Sequence, residues 1–241
     1  MDSAGIRVEG ITKRLRETVA LSSITAEFNP ATLHGVIGPD GAGKTTLMRL
    51  LIGLLAPNSG RVTYTAGGVE IPFAEIRPDM AYMPQQQSLY PDLSIEEHLE
   101  FFRELYRIPP EVYAGRRDKL LHLARLEQFR DRPAGKLSGG MYKKLGLMCA
   151  LLQSPRVVLL DEPTNGVDPI SRREFWELLY GLVDEGILVI ISTAYMDEAE
   201  RCGKVHILDS GRLLASGEPR AVLAHENAGS FEELFLRGEQ A

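Results

Sequence analysis

Two hydrophobic rhythms alternate along this 241-residue chain. Short, mostly apolar runs occur at Leu33-His34-Gly35-Val36-Ile37, Met80-Ala81-Tyr82-Met83, Val157-Val158-Leu159-Leu160 and Ile187 to Ile191. Runs of this length, lacking polar alternation, predict strands buried on both faces, as in a parallel sheet covered by helices. Between them, apolar positions recur every three or four residues: Ile95, Leu99, Phe102 and Leu105; Leu120, Leu121 and Ala124; Phe175, Trp176, Leu179 and Leu182; and Phe231, Leu234 and Phe235 near the end. These are packing stripes of amphipathic helices. Residues Ile6 to Phe28 read as two strands around a polar turn at Arg16-Glu17-Thr18, and Gly67-Gly68 joins Arg61–Thr65 to Val69–Ile71 as a hairpin. A last hairpin, Val205 to Leu208 and Leu213 to Ala215, turns over Asp209-Ser210-Gly211-Arg212. The pattern predicts an α/β fold, one domain or two small lobes by length, with antiparallel β wrapped onto a parallel core.

Punctuation sharpens the helices. Ser94 with Glu97 three residues on makes a capping box, and Pro109-Pro110 stops the helix that follows. Ser138 is a good N-cap for a helix running to Leu152, before Ser154-Pro155 breaks it. Residues 94-150 therefore read as a helical insert, with 1-93 and 151-241 supplying the core and the antiparallel β part.

Composition narrows the function classes. The 44% apolar and 25% charged fractions are those of an ordinary globular chain. The net charge of −6 argues against a nucleic-acid binder, which needs a basic face. Cys149 and Cys202 lack paired spacing and read as packed, reduced thiols, and the five histidines show no metal-ligand spacing. No signal-peptide pattern precedes the first strand, and the longest aliphatic run, Ile187 to Ile191, is far too short to span a bilayer. A cytoplasmic location is expected, with any membrane role exercised through a partner.

The candidate chemistry centres on Gly38-Pro39-Asp40-Gly41-Ala42-Gly43-Lys44-Thr45-Thr46, which follows a strand and opens a helix. Two glycines flanking four residues, then Lys and Thr, fit a phosphate loop. Glycines let consecutive backbone N–H groups curl around an anion; Lys44 adds a charge for the β- and γ-phosphates, and Thr45 a hydroxyl for Mg²⁺. The run Val157–Leu160 ends in Asp161-Glu162. Buried strand-end carboxylates are costly unless they meet a cation, so Asp161 is the expected metal-side partner of Thr45, and Glu162 is placed to polarise an attacking water. Gln85 follows another strand end and suits a ligand loop or a solvated one. Leu137-Ser138-Gly139-Gly140-Met141 reads most simply as a helix start, although its glycine N–H groups and serine hydroxyl could equally bind an anion.

In this order and spacing, the phosphate loop, the Gln loop after Tyr-Met-Pro, Leu-Ser-Gly-Gly, Asp-Glu and a turn ending in Asp168 resemble the ATP-binding subunit of ABC transporters. Over nearly the whole chain the resemblance is to the ABC-2 class of daunorubicin- and multidrug-resistance exporters. Leu-Ser-Gly-Gly-Met, Gly166-Val167-Asp168-Pro169 and Tyr195-Met196-Asp197-Glu198-Ala199-Glu200-Arg201-Cys202 are in the style of that group, including the first half of its tandem ATPases. The resemblance implies a single ATP-binding domain over 1-241, a P-loop NTPase with a RecA-like parallel core, an N-terminal antiparallel β subdomain and an inserted helical subdomain. It implies ATP and Mg²⁺ as cofactors, with Thr45, Gln85 and Asp161 around the metal and Glu162 as catalytic carboxylate. It further implies that Ser138, Gly139 and Gly140 reach in trans to the γ-phosphate held by a second ATP-binding domain, with Asp168 at the interface. The implied membrane partner is an integral ABC-2-type permease, meeting the loop near Tyr90-Pro91 and holding the chain at the inner face of the membrane.

Three departures from the family pattern matter. Leu15 stands where an aromatic would stack on adenine, and Met141 where the signature usually has Gln. Ala194 stands where the family's switch histidine follows Ser-Thr, so the site lacks an imidazole for the γ-phosphate. The expectation is ATP hydrolysis that is slow at the chain's own site and a hetero or tandem partner in preference to a homodimer. The alternatives are a regulatory half with little hydrolysis, or a soluble ABC ATPase acting on ribosomes or DNA.

Overall fold

The computed structural model describes residues 3–86 and 89–238. In chain order, β1 (Ala4–Leu15) and β2 (Thr18–Phe28) form the first hairpin, and β3 (Leu33–Ile37) leads through the glycine loop into α1 (Lys44–Leu51). Next come β4 (Ser59–Ala66), β5 (Val69–Ile71), α2 (Phe73–Ile76), β6 (Met80–Met83), α3 (Ile95–Leu105), α4 (Pro110–Ala124) and α5 (Gly139–Leu151). The chain then runs through β7 (Val157–Asp161), α6 (Pro169–Asp184), β8 (Leu188–Thr193), β9 (Lys204–Asp209), β10 (Arg212–Gly217), α7 (Pro219–His225) and α8 (Phe231–Gly238).

The strands sort into two sheets. One is antiparallel, in the order β2-β1-β4-β5; the other runs β10-β9-β3-β8-β7-β6 and is parallel except for β10. Every residue of β7 is buried. Val157 and Leu159 join a core shared with the antiparallel sheet and with Leu47, Met48 and Leu51 of α1. Val158 and Leu160 join a second core with Leu99 of α3, Leu145 and Met148 of α5, and Phe175 and Trp176 of α6. Two-sided burial is why these strands show no polar alternation.

The parallel strands deliver four loops to one edge of the sheet: the glycine loop after β3, Gln85 after β6, Glu162 after β7 and Ala194 after β8. Crevices outside the carboxyl ends of such strands are where open α/β sheets place ligands. The capping box at α3 is present, Glu97 N donating to Ser94 Oγ at 3.2 Å and Ser94 N to Glu97 Oε2 at 2.8 Å. Two short helices, α2 and α7, have no counterpart in the hydrophobic pattern. Both cysteines are buried and unbridged, and burial pushes both thiols up.

Candidate nucleotide site

The glycine loop wraps a buried amine. Lys44 is 4% exposed, and its Nζ donates to the Gly38 and Pro39 carbonyls at 2.8 and 3.0 Å. Gly43 N-caps α1 at φ 103 without a side-chain cap, so the first-turn N–H groups of the helix face the loop. A Cβ at Gly43 would lie 2.7 Å from the Ala20 carbonyl, so both conformation and space demand glycine there. The cleft beside the loop holds about 690 Å³. It is walled by Leu15, Thr18 and Val19 at one end and by Thr45, Gln85 and Glu162 at the other. A helix N-terminus, curled N–H groups and a buried lysine suit an anion.

Asp161, 1% exposed, ends β7 inside a set of hydroxyls. Thr45 Oγ1 and Tyr82 Oη each donate to it at 3.1 Å, and Ser192 Oγ donates to the same oxygen as Thr45. Burial first, and then the Asp161 charge, push the Tyr82 phenol up to about 12. A buried carboxylate held by three neutral hydroxyls is a donor set that a hard cation completes, so the residues present fit Mg²⁺. Among the described residues no cluster of three or more His, Cys, Asp or Glu side chains could hold a metal. The ion's remaining ligands would come from phosphate and water, the usual arrangement for Mg²⁺.

Glu162 is the next residue, at φ 47, a left-handed conformation for a side chain that disfavours it. Its N–H donates to Ser192 O at 3.1 Å and Ser192 Oγ at 3.0 Å, which holds the turn. Its carboxylate is gripped from three sides: Lys44 Nζ lies 3.4 Å from Oε1, while Gln85 Nε2 and Asn165 Nδ2 donate to Oε2 at 2.6 and 3.3 Å. Backbone strain at a functional carboxylate is a recurrent way of aiming it. Gln85 thus meets Glu162, while Thr45 and Asp161 meet each other. Lys143 of α5 donates to the Gln85 carbonyl at 3.1 Å, and burial lowers the basicity of its amine against the pull of Glu162 and Asp161. Gln87 lies outside the described residues.

Ala194 follows β8 and lines a hollow of about 190 Å³ with Asp40, Glu162, Asn165, Thr193 and Tyr195. Leu137 to Met141 are elsewhere. Ser138 caps α5 by accepting from Met141 N at 3.3 Å, and none of the five residues lines the nucleotide cleft. Gly140 sits where a Cβ would meet Ser171 Cβ at 2.4 Å, so α5 and α6 start in close contact. Asp168 caps α6, accepting from Ile170 N at 3.1 Å and Ser171 N at 3.0 Å, and these bonds pull its carboxyl down. Tyr90 is exposed, edge-on to Phe101 at 5.4 Å. Sequence reasoning gave no role to Tyr82, Ser192, Lys143 or Asn165. The one available signal was position: Ser192 pairs in register with Asp161 across β8 and β7.

Comparison with known proteins places these features in company. A family model described as ABC transporter matches residues 21–165. The chain is 44% identical over 230 residues to a probable multidrug ABC transporter ATP-binding protein of Escherichia coli K12, covering 92% of this chain and 39% of that protein. It is 35% identical over 231 residues to Nod factor export ATP-binding protein I of Ralstonia nicotianae, covering 95% and 72%. The chain therefore spans about two fifths of the length of the first relative and nearly three quarters of the second. An ATP-binding subunit of an ABC transporter superposes with a TM-score of 0.82 at 28% identity, over 96% of this chain and 98% of that one. The cbiO1 protein of Clostridium perfringens, part of an ABC transporter complex, gives 0.82 at 27% over 98% and 94%.

Proposed function

This chain belongs to the ABC transporter family, and from that premise we propose that it is the ATP-hydrolysing subunit of a membrane exporter, driven by nucleotide-dependent pairing with a second ATP-binding domain. The observation that carries the reading is the convergence of Lys44, Thr45, Gln85 and Glu162 on one cleft, with Asp161 bonded to Thr45 just behind. Export is supported by the names of the relatives in E. coli and R. nicotianae.

In this reading Gly38 to Thr46 cradles the triphosphate, and the apolar end at Leu15 and Val19 takes the base. Thr45 and Asp161, with Gln85 brought closer, would hold Mg²⁺, which when bound neutralises charge on the phosphate oxygens. Glu162 accepts the proton of the attacking water, and Gln85 orients Glu162. Ser138, Gly139 and Gly140 complete the other domain's site in trans, with Asp168 between the two sites. The membrane subunit is an ABC-2-type permease received near Tyr90, and it anchors the chain at the inner face. Among the described residues no helix is long and apolar enough to cross a membrane.

Ala194 gives the site its particular character. An imidazole at that position would add a donor to the developing phosphate charge, and one such donor is commonly worth about 10²–10³ in rate. The chain's own site therefore binds ATP firmly and hydrolyses it slowly, and a hetero or tandem partner carries the faster site. Single-turnover hydrolysis by the purified chain tests this. Ala194→His should accelerate it by about 10²–10³-fold, and Glu162→Gln should abolish it and trap the ATP-bound pair. Equal rates for parent and Ala194→His sink the slow-site reading, and an unaffected Glu162→Gln removes Glu162 from the chemistry. Recovery of the native complex with ribosomes or DNA instead of a permease would favour a soluble ABC ATPase.

A further inference from the structure

The hollow at Ala194 is bridged. Tyr195 Oη lies 3.3 Å from Asn165 Oδ1, and Asn165 Nδ2 lies 3.3 Å from Glu162 Oε2. The chemistry fixes the direction of both bonds. A carboxylate only accepts, so the amide nitrogen must face Glu162; the amide oxygen then faces Tyr195, whose hydroxyl can donate. The tyrosine is itself held: the Arg172 guanidinium lies 4.4 Å from its ring centroid, and Tyr195 N donates to Thr193 Oγ1 at 3.0 Å. Arg172 in turn sits in the first turns of α6, 3.9 Å from buried Glu198.

We propose that Tyr195 and Asn165 are positioning residues for Glu162, spanning the space that Ala194 leaves empty and holding the carboxylate toward the reacting water. The inference rests on the assignment of Glu162 to the hydrolytic step. The side chain after the missing imidazole thus supplies part of its orienting role, through an amide. In this proposal Tyr195 and Asn165 act through Glu162. Gln85 donates to the same oxygen, so the pair shares the task and each member has a moderate effect.

The test is single-turnover hydrolysis by the purified full chain in excess over ATP. Tyr195→Phe keeps the ring on Arg172 and removes only the hydroxyl. It should lower the rate about 3–10-fold, the worth of one hydrogen bond, with ATP affinity unchanged. Asn165→Ala removes the amide that links Tyr195 to Glu162 and should lower the rate at least as far, with ATP affinity unchanged, and Tyr195→Phe should then cost nothing further in the double variant. In an Ala194→His background, where an imidazole takes over, Tyr195→Phe should change the rate by less than about twofold, a non-additivity that marks the two positions as coupled. Equal losses in both backgrounds mark a structural role and overturn the proposal. So do full additivity of Asn165→Ala and Tyr195→Phe, or a parent chain with no measurable hydrolysis at all. Glu162→Gln separates the two levels: if it abolishes hydrolysis while Tyr195→Phe is silent, the relay fails and the enzyme assignment stands; if it is silent, the assignment itself fails.

Discussion

A fall in pH from 7.5 to 5 should destabilise this protein through two histidines that lie behind the phosphate loop. His34 on β3 and His206 on β9 are both fully buried, against Phe28. Asn29 N donates to His34 Nε2 at 2.9 Å, His34 Nδ1 is 3.0 Å from His206 Nε2, and His206 Nδ1 is 2.9 Å from Ser216 Oγ. Because His34 Nε2 accepts, its proton sits on Nδ1 and points at His206 Nε2; the His206 proton then sits on Nδ1 and points at Ser216. Both rings are neutral; a third proton on His34 Nε2 would reach the Asn29 carbonyl at 3.3 Å only by giving up the bond from Asn29 N. Burial lowers His34 to about 4, with Lys204 acting in the same direction, and the Asn29 carbonyl and Glu27 opposing it. Burial, then His34 and Lys204, lower His206 well below its ordinary value.

In the unfolded chain each histidine takes a proton near pH 6.5, so the stability that depends on neutral rings is complete above 6.5 and declines as pH falls toward 4. For His34 alone the loss at pH 5 is about 2 kcal/mol, and His206 adds in the same direction. Carboxyls lowered by their bonds, such as Glu97 by Ser94 and Glu174 by Lys144, lose their contribution only below their ordinary value of 4.5, so the window from 6.5 to 5 belongs to the histidines. Urea unfolding at pH 7.5 and 5.0 measures the difference. A change below about 0.5 kcal/mol, or an equal fall in a His34→Gln variant, refutes the reasoning, because neither fits a neutral buried pair.

Two further substitutions probe the nucleotide machinery. Gly140→Ala drives a Cβ to 2.4 Å from Ser171 Cβ and 2.5 Å from its Oγ. Overpacking of that kind costs about 1–3 kcal/mol and should lower Tm by about 2–4 °C per kcal/mol, whereas Gly139→Ala, whose Cβ has ordinary room at 3.5 Å from the Gly166 carbonyl, should melt with the parent. Leu15→Tyr places a ring on the cleft wall, where Leu15 is 43% exposed, and should tighten ATP binding about two- to tenfold in a fluorescent-nucleotide titration.

What was legible in the sequence was local. The phosphate loop is nine consecutive residues with a strand before and a helix after, and the capping box at Ser94 and Glu97 spans four; no distant partner is needed to recognise either. The two-sided burial of Val157–Leu160 also showed itself, because missing polar alternation is a one-dimensional signature of a covered parallel strand. What was not legible depends on strands brought together by the fold. Ser192 bonds Asp161 and Glu162 because β8 lies beside β7 in one register, and a slip of one residue would turn its hydroxyl to the other face. Tyr82 meets Asp161 from β6 for the same reason. The left-handed backbone at Glu162 has no compositional sign, since the usual marker of positive φ is glycine and a carboxylate occupies the place. The helix at Pro219–His225 is seven residues with one buried side chain, Val222, too few positions to establish a period.

Electrostatics bears on the proposal that one chain gives only part of a catalytic centre. Among the described residues lining the nucleotide cleft, Lys44 is the one cationic side chain, set against Asp40 and Glu162, with Asp161 buried just behind. The lysine is already engaged with two loop carbonyls and Glu162 before any anion arrives. A triphosphate brings several more negative charges into a cleft whose side chains are net negative, and the first turn of α1 supplies partial charges only. Mg²⁺ can offset part of this. Among the described residues lining the cleft, backbone N–H groups and the single cation Lys44 face the rest of that charge, so the proposed trans arrangement would add donors where side chains of this chain supply one cation. The N-terminus of α5 is of the right kind: Ser138 and Gly139 are exposed, and the cap there satisfies the N–H of Met141. Under the proposed trans arrangement, that helix end brings hydroxyl and backbone N–H donors to a phosphate held by the neighbouring domain. Loss of the γ-phosphate then removes the anion that both halves share. Two faces whose contact depended on it would separate, so under the proposed slow-site reading hydrolysis here would set how long the pair stays closed.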